Sequence, residues 1–276
     1  MSPFELAEPA SLPEAIALLG AENARPLSGG TALMLMMKAG VLRPARLVSL
    51  RKLGLDEIRV DGELRIGATA TLRALERSAL VKAGWPGITR ALRTLSNVRV
   101  RNVATVGGAL AHADPHMDLP PLLTVLHARV TIAGPRGERS VPVEALYAGY
   151  LENTLARDEV ITQVAVPPLG KACAAYLKCT TRSADDWPAV GIAVRIDGAE
   201  VRIVLGAATD KPTRLVAAEK LLRGRAGDPK ALKEAAEAAA EEASIEGDSH
   251  GSAAYKKQLV RVYLQRTVHE ASRAIH

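Results

Sequence analysis

The stretch Arg101-Asn102-Val103-Ala104-Thr105-Val106-Gly107-Gly108-Ala109-Leu110-Ala111-His112-Ala113-Asp114-Pro115-His116-Met117-Asp118-Leu119-Pro120-Pro121 holds the densest set of polar groups in the chain, and a Gly-Gly pair close behind a threonine. A second pair lies upstream, in Ser28-Gly29-Gly30-Thr31, between a short extended segment, Arg25–Leu27, and a run of helix formers, Ala32–Lys38. Glycine pairs let backbone approach a ligand closely and turn successive N–H groups the same way, which makes an anion-binding nest. A helix that starts behind such a loop adds the positive end of its dipole, and a threonine hydroxyl adds another donor. One Gly-Gly pair is compatible with an ordinary turn. Two of them, each with a threonine, suit a diphosphate held between two clamps. Neither follows the GxGxxG dinucleotide fingerprint or the GxxxxGK phosphate loop, so Rossmann and kinase-like readings lose ground.

On spacing alone, His112, Asp114, His116 and Asp118 invite a metal reading. Alternate residues point together only on a strand, and Pro115 interrupts one here. No carboxylate–histidine set stands at helical i, i+4 spacing either. A loop that supplies polar contacts to a cofactor is the better fit, with a capped turn as the plain alternative.

Outward from these loops, the N-terminal part alternates helix and strand. Leu12–Gly20 has helical apolar spacing, with Ser11 as a cap and a glycine stop. Leu47–Leu50 and Leu64–Ile66 read as strands, Thr71–Ala83 and Trp85–Leu95 as helices. Ala128–Ala133 and Arg139–Val143 form an expected hairpin, and Glu159–Val166 a further strand stopped by Pro167-Pro168. That proline pair, with Gly170 and Lys171, is the expected boundary. Beyond it, Ala174–Lys178, Val190–Ile196 and Val201–Ala207 suggest a small antiparallel sheet, followed by helices Arg214–Leu222, Pro229–Ala243 and Ala253–Ala274. The expected class is α+β with two sub-architectures, not a doubly wound sheet.

Composition narrows the field. The chain has 276 residues, 48% hydrophobic, which is enough for a real core in one large domain or two modest ones. Its longest apolar runs, such as Ala32–Met37, fall far short of the roughly 20 residues of a membrane helix. The opening MSPFELAEPASLPEA lacks the basic-then-apolar layout of a signal peptide. Two cysteines cannot build a disulfide scaffold and fit a reducing compartment, so a cytoplasmic location is expected. A net charge of +6 could serve nucleic acid, an anionic cofactor or an acidic partner surface. The densest basic run, Arg90, Arg93, Arg99 and Arg101, is not interleaved with aromatics on which bases could stack. It therefore reads as a solvated face, with no nucleic-acid role.

In the two loops and the residues C-terminal to them, the chain resembles the FAD-binding medium subunit of the xanthine dehydrogenase and carbon monoxide dehydrogenase family of molybdenum hydroxylases. Ser28-Gly29-Gly30-Thr31 looks like the family's Ala-Gly-Gly-Thr-Asp motif. Arg101–Gly108, ending at Asp118-Leu119-Pro120, looks like its Arg-Asn-x-Ala-Thr-(Ile/Val)-Gly-Gly-Asn…Asp-(Leu/Ile)-Pro motif. Tyr176-Leu177-Lys178 with Arg182, Asp185 and Asp186 resembles a (Tyr/Phe)-x-Lys…Arg…Asp stretch, and Ser249–Tyr255 a C-terminal signature. The match spans nearly the whole chain in order.

The resemblance implies a vanillyl-alcohol-oxidase-like (PCMH-type) FAD-binding domain over 1–168, with subdomains at about 1–55 and 56–168, then a C-terminal sheet-plus-helices domain over 169–276. It implies FAD as cofactor, with Pro26, Leu27, Ser28, Gly29, Gly30, Thr31, Ala32 and Leu33 along the diphosphate and ribityl chain. Thr105, Gly107, Gly108 and Ala109 would line it from the second loop and Asp118 would give a polar contact. Ile161 and Lys178 would sit near the isoalloxazine, where an ammonium favours negative charge on the reduced ring. Tyr176 is the aromatic best placed in sequence to face that ring.

The implied role is an electron-transfer subunit, with no substrate chemistry of its own. Electrons would come from [2Fe-2S] clusters on a small subunit, fed by a molybdenum–pterin centre on a large subunit, and leave to an acceptor such as NAD or a quinone. Cys173 and Cys179 fall short of the four ligands a cluster needs, so the clusters belong to a partner chain.

Two departures stand out. Ala32 replaces the usual Asp after Gly-Gly-Thr, and Ala109 the usual Asn after the second Gly-Gly. Each removes a side-chain hydrogen bond of order 1 kcal/mol, so weak FAD retention is expected. The same departures keep open the alternative of a flavin-free assembly subunit of such a complex.

Overall fold

A computed structural model describes residues 2–273. The chain first builds a small parallel sheet in the order Glu5–Ala7, Arg46–Ser49, Ala24–Leu27. Helix Leu12–Leu19 connects two of these strands, and its Ser11 hydroxyl caps it by accepting the Glu14 N–H. It buries Ala15 and Leu19 against Val48, Leu50 and Val160. The Gly-Gly-Thr loop leaves the C-terminal end of strand Ala24–Leu27 and enters helix Leu33–Lys38.

Next comes a five-stranded antiparallel sheet in the order Ile58–Asp61, Glu63–Gly67, Val160–Val166, Arg129–Gly134, Gly137–Pro142. The expected hairpin is present, closed by Pro135-Arg136 with Gly134 paired to Gly137. Gly137 has φ +98°, a conformation that favours glycine. One face of this sheet supplies Leu64, Ile66, Val130, Ile132 and Val164 to the main core. Helices Pro86–Thr94, Val106–Ala111 and Leu119–Val125 complete that core.

The C-terminal sheet runs Cys173–Thr180, Pro188–Asp197, Glu200–Gly206, Thr213–Arg214, all antiparallel. Its two faces go to different cores. Ala174, Tyr176, Ala193 and Val204 join the first core, while Ile192, Val194, Ile196, Ile203 and Leu205 face helices Val216–Leu222, Pro229–Glu242 and Ala253–Arg273. A strand buried on both faces needs no polar alternation, which explains the continuous run Ala189-Val190-Gly191-Ile192-Ala193-Val194. Helix Pro229–Glu242 packs by its small residues Ala231, Ala235, Ala236, Ala239 and Ala240.

Three expectations change. The helix read over Thr71–Ala83 is two helices, Leu72–Arg77 and Ala79–Gly84, because Ser78 stands extended between them, ending one and capping the next. Arg214 does not begin a helix; it pairs with Val204 at the sheet edge, and its guanidinium holds Glu219 one turn into helix Val216–Leu222. The basic run is not one solvated face. Arg90, Arg93 and Arg99 are exposed, but Arg101 is buried, bonded to Glu76 and to the carbonyls of Leu95 and Ser96. The last expected helix is described from Ala253 as far as Arg273, and Ala274 lies outside the described residues.

Candidate functional site

The two Gly-Gly loops meet. Ser28 Oγ lies 2.8 Å from Thr105 Oγ1, across 77 residues of sequence. Gly29 rests on the Val103 carbonyl so closely that a Cβ there would stand 2.1 Å from the oxygen. Only glycine lets the loops approach this far. Gly30 sits at φ +71°, which turns the chain into the helix behind it.

The loops differ in the donors they offer a ligand. Among the described residues, the N–H groups of Ser28, Gly29, Gly30, Thr31, Ala32 and Leu33 donate to no other group of the chain. The second loop does not present N–H groups as the sequence leads one to expect. Val106 N–H donates to Ala70 O at 3.0 Å, Gly107 N–H to Ala68 O at 2.8 Å, and Ala109 N–H to Thr105 O at 2.9 Å. Gly108 N–H donates to Thr105 Oγ1 at 3.2 Å. Gly107 is there for packing, since a Cβ would lie 2.6 Å from that of Ala68. Gly108 is exposed and Ala109 half-buried, one turn into helix Val106–Ala111. The second loop thus shapes and braces the first.

Asp118, expected to give a cofactor a polar contact, has its carboxylate paired with side chains of the protein itself: Oδ1 accepts the Tyr176 hydroxyl at 2.6 Å and Oδ2 the Lys178 ammonium at 2.8 Å. Burial pushes the Asp118 carboxyl above the usual carboxylate range, against the pull of Lys178 and the Tyr176 hydroxyl. The same burial and the neighbouring carboxylate push the Tyr176 phenol well up. Tyr176 is therefore a core residue that orients Asp118, not a ring open to a cofactor. Gly191 on the adjacent strand makes room for its hydroxyl, 2.2 Å from where a Cβ would be.

Lys178 Nζ also donates to the Asp186 carbonyl at 3.0 Å, and its side chain is 5% exposed. An ammonium has three donors, so one remains for a ligand. The loop 181–187 folds back over Lys178 through that carbonyl; Arg182 and Asp185 are exposed, and Trp187 ends the loop with an exposed indole. Ile161, expected near the isoalloxazine, is 4% exposed and lies in the main core opposite Ile132, so its side chain packs inward. Pro26 and Leu27 belong to the strand that leads into the first loop, paired with Val48 and Ser49.

The family described as the FAD binding domain in molybdopterin dehydrogenase matches residues 2–169. The chain belongs to it. The CO dehydrogenase flavoprotein C-terminal domain matches residues 175–271. The glyceraldehyde dehydrogenase medium chain of Sulfolobus acidocaldarius is 30% identical, with 98% of each chain covered. The carbon monoxide dehydrogenase medium chain of Afipia carboxidovorans is 33% identical over 97% of this chain and 96% of that one. In three dimensions, carbon monoxide dehydrogenase from Hydrogenophaga pseudoflava lacking the Mo-pyranopterin moiety of its cofactor superposes with TM-score 0.94. That match has 32% identity and covers 99% of both chains.

The protein is thus a medium subunit of the molybdenum hydroxylase family, a flavoprotein component of an oxidoreductase, and its cofactor is FAD. The residues present fit that cofactor at one place above all. Six successive N–H groups without internal partners, on a loop held rigid by Gly29 and Ser28, form the donor set that a diphosphate needs. No helix among the described residues is long and apolar enough to cross a membrane.

The spacing that invites a metal at His116 has another basis. The ring lies between Asp114 and Asp248, each at 3.0 Å, with Trp187 and His250 against it. Asp248 and its buried partner Lys256 are not apparent from the sequence. The one signal for them is the Ser249–Tyr255 stretch between them, and nothing local says that a lysine on an amphipathic helix is 1% exposed.

Proposed function

We propose that this chain is the electron-transfer subunit of a multi-subunit molybdenum hydroxylase. In this reading it takes electrons from [2Fe-2S] clusters of a small subunit and hands them to an external acceptor such as NAD or a quinone. A molybdenum-binding large subunit would carry the organic substrate. When bound, FAD supplies the one- and two-electron chemistry that joins those two ends. The observation that carries the reading is the row of unpartnered N–H groups from Ser28 to Leu33, clamped onto the second loop.

In this assignment Pro26–Leu33 lie along the diphosphate and ribityl chain, Thr105 braces them through Ser28, and Gly107, Gly108 and Ala109 line the cofactor from the second loop. Lys178 offers its remaining N–H to the ring, with Asp118 holding the ammonium in place. Asp118 and Ile161 act from behind the surface, through Lys178 and through packing. The two halves, 1–168 and 169–276, serve as FAD-binding domain and cover. Cys173 and Cys179, six residues apart on one extended strand, cannot bridge each other and suit a reducing, cytoplasmic setting.

Ala32 and Ala109 leave the cofactor without two side-chain hydrogen bonds, so FAD is held weakly by the isolated chain. Titration of the chain with FAD, followed by flavin absorption, tests both points. Bound flavin is expected, and Ala109→Asn is expected to tighten it by about fivefold, the worth of one hydrogen bond near 1 kcal/mol. Absence of bound flavin at any concentration would overturn the reading in favour of a flavin-free assembly subunit. Binding that Ala109→Asn does not tighten would remove the missing amide as the cause of weak retention.

A further inference from the structure

The loop Ala113–Asp118 connects the second Gly-Gly segment to the Asp118–Lys178 pair, and its middle is fastened to the C-terminal half of the chain. Ala207 N–H donates to the Pro115 carbonyl at 2.9 Å. One residue later stands His116. Its backbone N–H donates to Asp114 Oδ1 at 2.9 Å. Its ring Nδ1 lies 3.0 Å from the same oxygen, and its Nε2 lies 3.0 Å from Asp248 Oδ2. Carboxylate oxygens only accept, so both bonds exist together only when both ring nitrogens carry protons. The geometry is that of an imidazolium bridging two carboxylates, one from each half of the chain.

Charged and aromatic groups from three segments surround the ring. From its own loop, Asp114 faces it, with His112 Nε2 4.0 Å from the other Asp114 oxygen. From the C-terminal segment come Asp248 and the His250 ring, its centroid at 5.3 Å. Lys256 stands behind Asp248, its Nζ at 2.7 Å from Oδ2 and 3.1 Å from the Ala207 carbonyl. From the loop after Lys178 comes the Trp187 indole at 5.4 Å, anchored by its backbone N–H to the Asp186 carboxylate. Asp118 and Lys178 lie one step further along. Burial alone would lower the imidazole, but Asp114 and Asp248 outweigh it and hold it above its ordinary value.

We propose that His116 is a positioning residue: as an imidazolium between Asp114 and Asp248 it fastens the Ala113–Asp118 loop, and through it the Asp118–Lys178 pair, to the C-terminal half, and its deprotonation releases them. The link to the flavin ring rests on the function proposed above; the fastening itself does not. A group held above its ordinary pKa contributes stability fully below the unfolded value, about 6.5, and loses it as pH rises through the folded one. The latch is closed in mildly acidic solution and opens on the alkaline side.

Trp187 reports on the latch because a protonated imidazole against an indole quenches its emission. In the full-length chain, the emission difference between wild type and Trp187→Phe is followed from about pH 5.5 to about pH 9.5. A rise with its midpoint above the ordinary imidazole value is expected. It disappears in His116→Gln, persists in His250→Gln and moves down by about one unit in Asp114→Asn, which keeps an acceptor but removes the charge. The FAD dissociation constant is expected to weaken about fivefold across the same transition in wild type and to stay level in His116→Gln.

A transition that survives His116→Gln, or none in wild type, overturns the latch. A dissociation constant that stays level through an intact transition overturns the positioning role. Failure to bind FAD at any pH defeats the flavin reading instead and leaves fluorescence to decide the latch. If His116→Gln does not fold, Asp114→Asn and the histidine N–H resonances of the wild type decide: two bonded imidazolium protons below the midpoint support the latch, and one overturns it.

Discussion

Lys178 carries its positive charge in a place where a lone charge could not remain. Its side chain and that of Asp118 are 5% and 6% exposed, and each is the other's main compensation. Removing one member of a buried pair strands the other, which costs about 3–5 kcal/mol. Lys178→Met is therefore expected to lower stability by about that amount in urea denaturation. The double variant Lys178→Met/Asp118→Asn is expected to recover much of it, because no stranded carboxylate remains. Both variants are expected to lose the flavin contact proposed for Lys178, so binding and stability part company between them. The residue types at 176, 178 and 118 are legible as a set from the sequence, but their roles are not. A lysine two positions from a tyrosine on a strand reads the same whether it meets a ligand or a buried aspartate 60 residues away.

Thr105 shows how an element depends on a single hydroxyl. Its Oγ1 accepts the Gly108 N–H, capping helix Val106–Ala111, and bonds to Ser28 across the two loops. Thr105→Val keeps the shape and removes both bonds. It is expected to lower stability by about 1–2 kcal/mol in thermal unfolding, the range for a lost cap. FAD affinity is expected to fall about tenfold as the first loop loosens. Ser28→Ala breaks only the inter-loop bond, so its thermal effect is expected to be the smaller of the two. Local chemistry makes most elements readable: the Ser11 cap, the Gly134–Gly137 turn and the Asp228-Pro229 helix start all carry their signals within a few residues. Short pieces escape where the signal is weak, as in strand Glu5–Ala7 and the turn helix Val98–Arg101. The break at Ser78 escapes because serine is tolerated inside a helix and caps one equally well.

At the scale of the molecule, the two halves share one core. Ala174, Tyr176, Ala193 and Val204 from the C-terminal sheet pack with Leu119, Leu122 and Leu123, and Trp85 Nε1 donates to the Pro167 carbonyl at the junction. Unfolding is therefore expected to be a single transition, coincident by circular dichroism and tryptophan emission. Two groups at the seam contribute opposite slopes to its pH dependence. Partial burial pushes the Asp248 carboxyl up, but Lys256, the His250 N–H and His116 together outweigh it and hold it at about 2. Its contribution is present above the ordinary carboxylate value and lost as pH falls toward that figure. His116 contributes below about 6.5 and is lost as pH rises. Both contributions are present together between about pH 4 and about pH 6.5, so the fall of the urea midpoint above about pH 6.5 is expected to be smaller in His116→Gln than in wild type.

The class of fold, the order of the main helices and strands and the two glycine loops are readable along the chain, because periodicity, caps and turn residues act over a few positions. Which loop keeps free N–H groups, where Ile161 and Tyr176 face, and that His116, Asp248 and Lys256 meet are settled by the folding of distant segments against each other. Those outcomes depend on which distant backbone carbonyl or carboxylate reaches each donor first, and no local pattern encodes that.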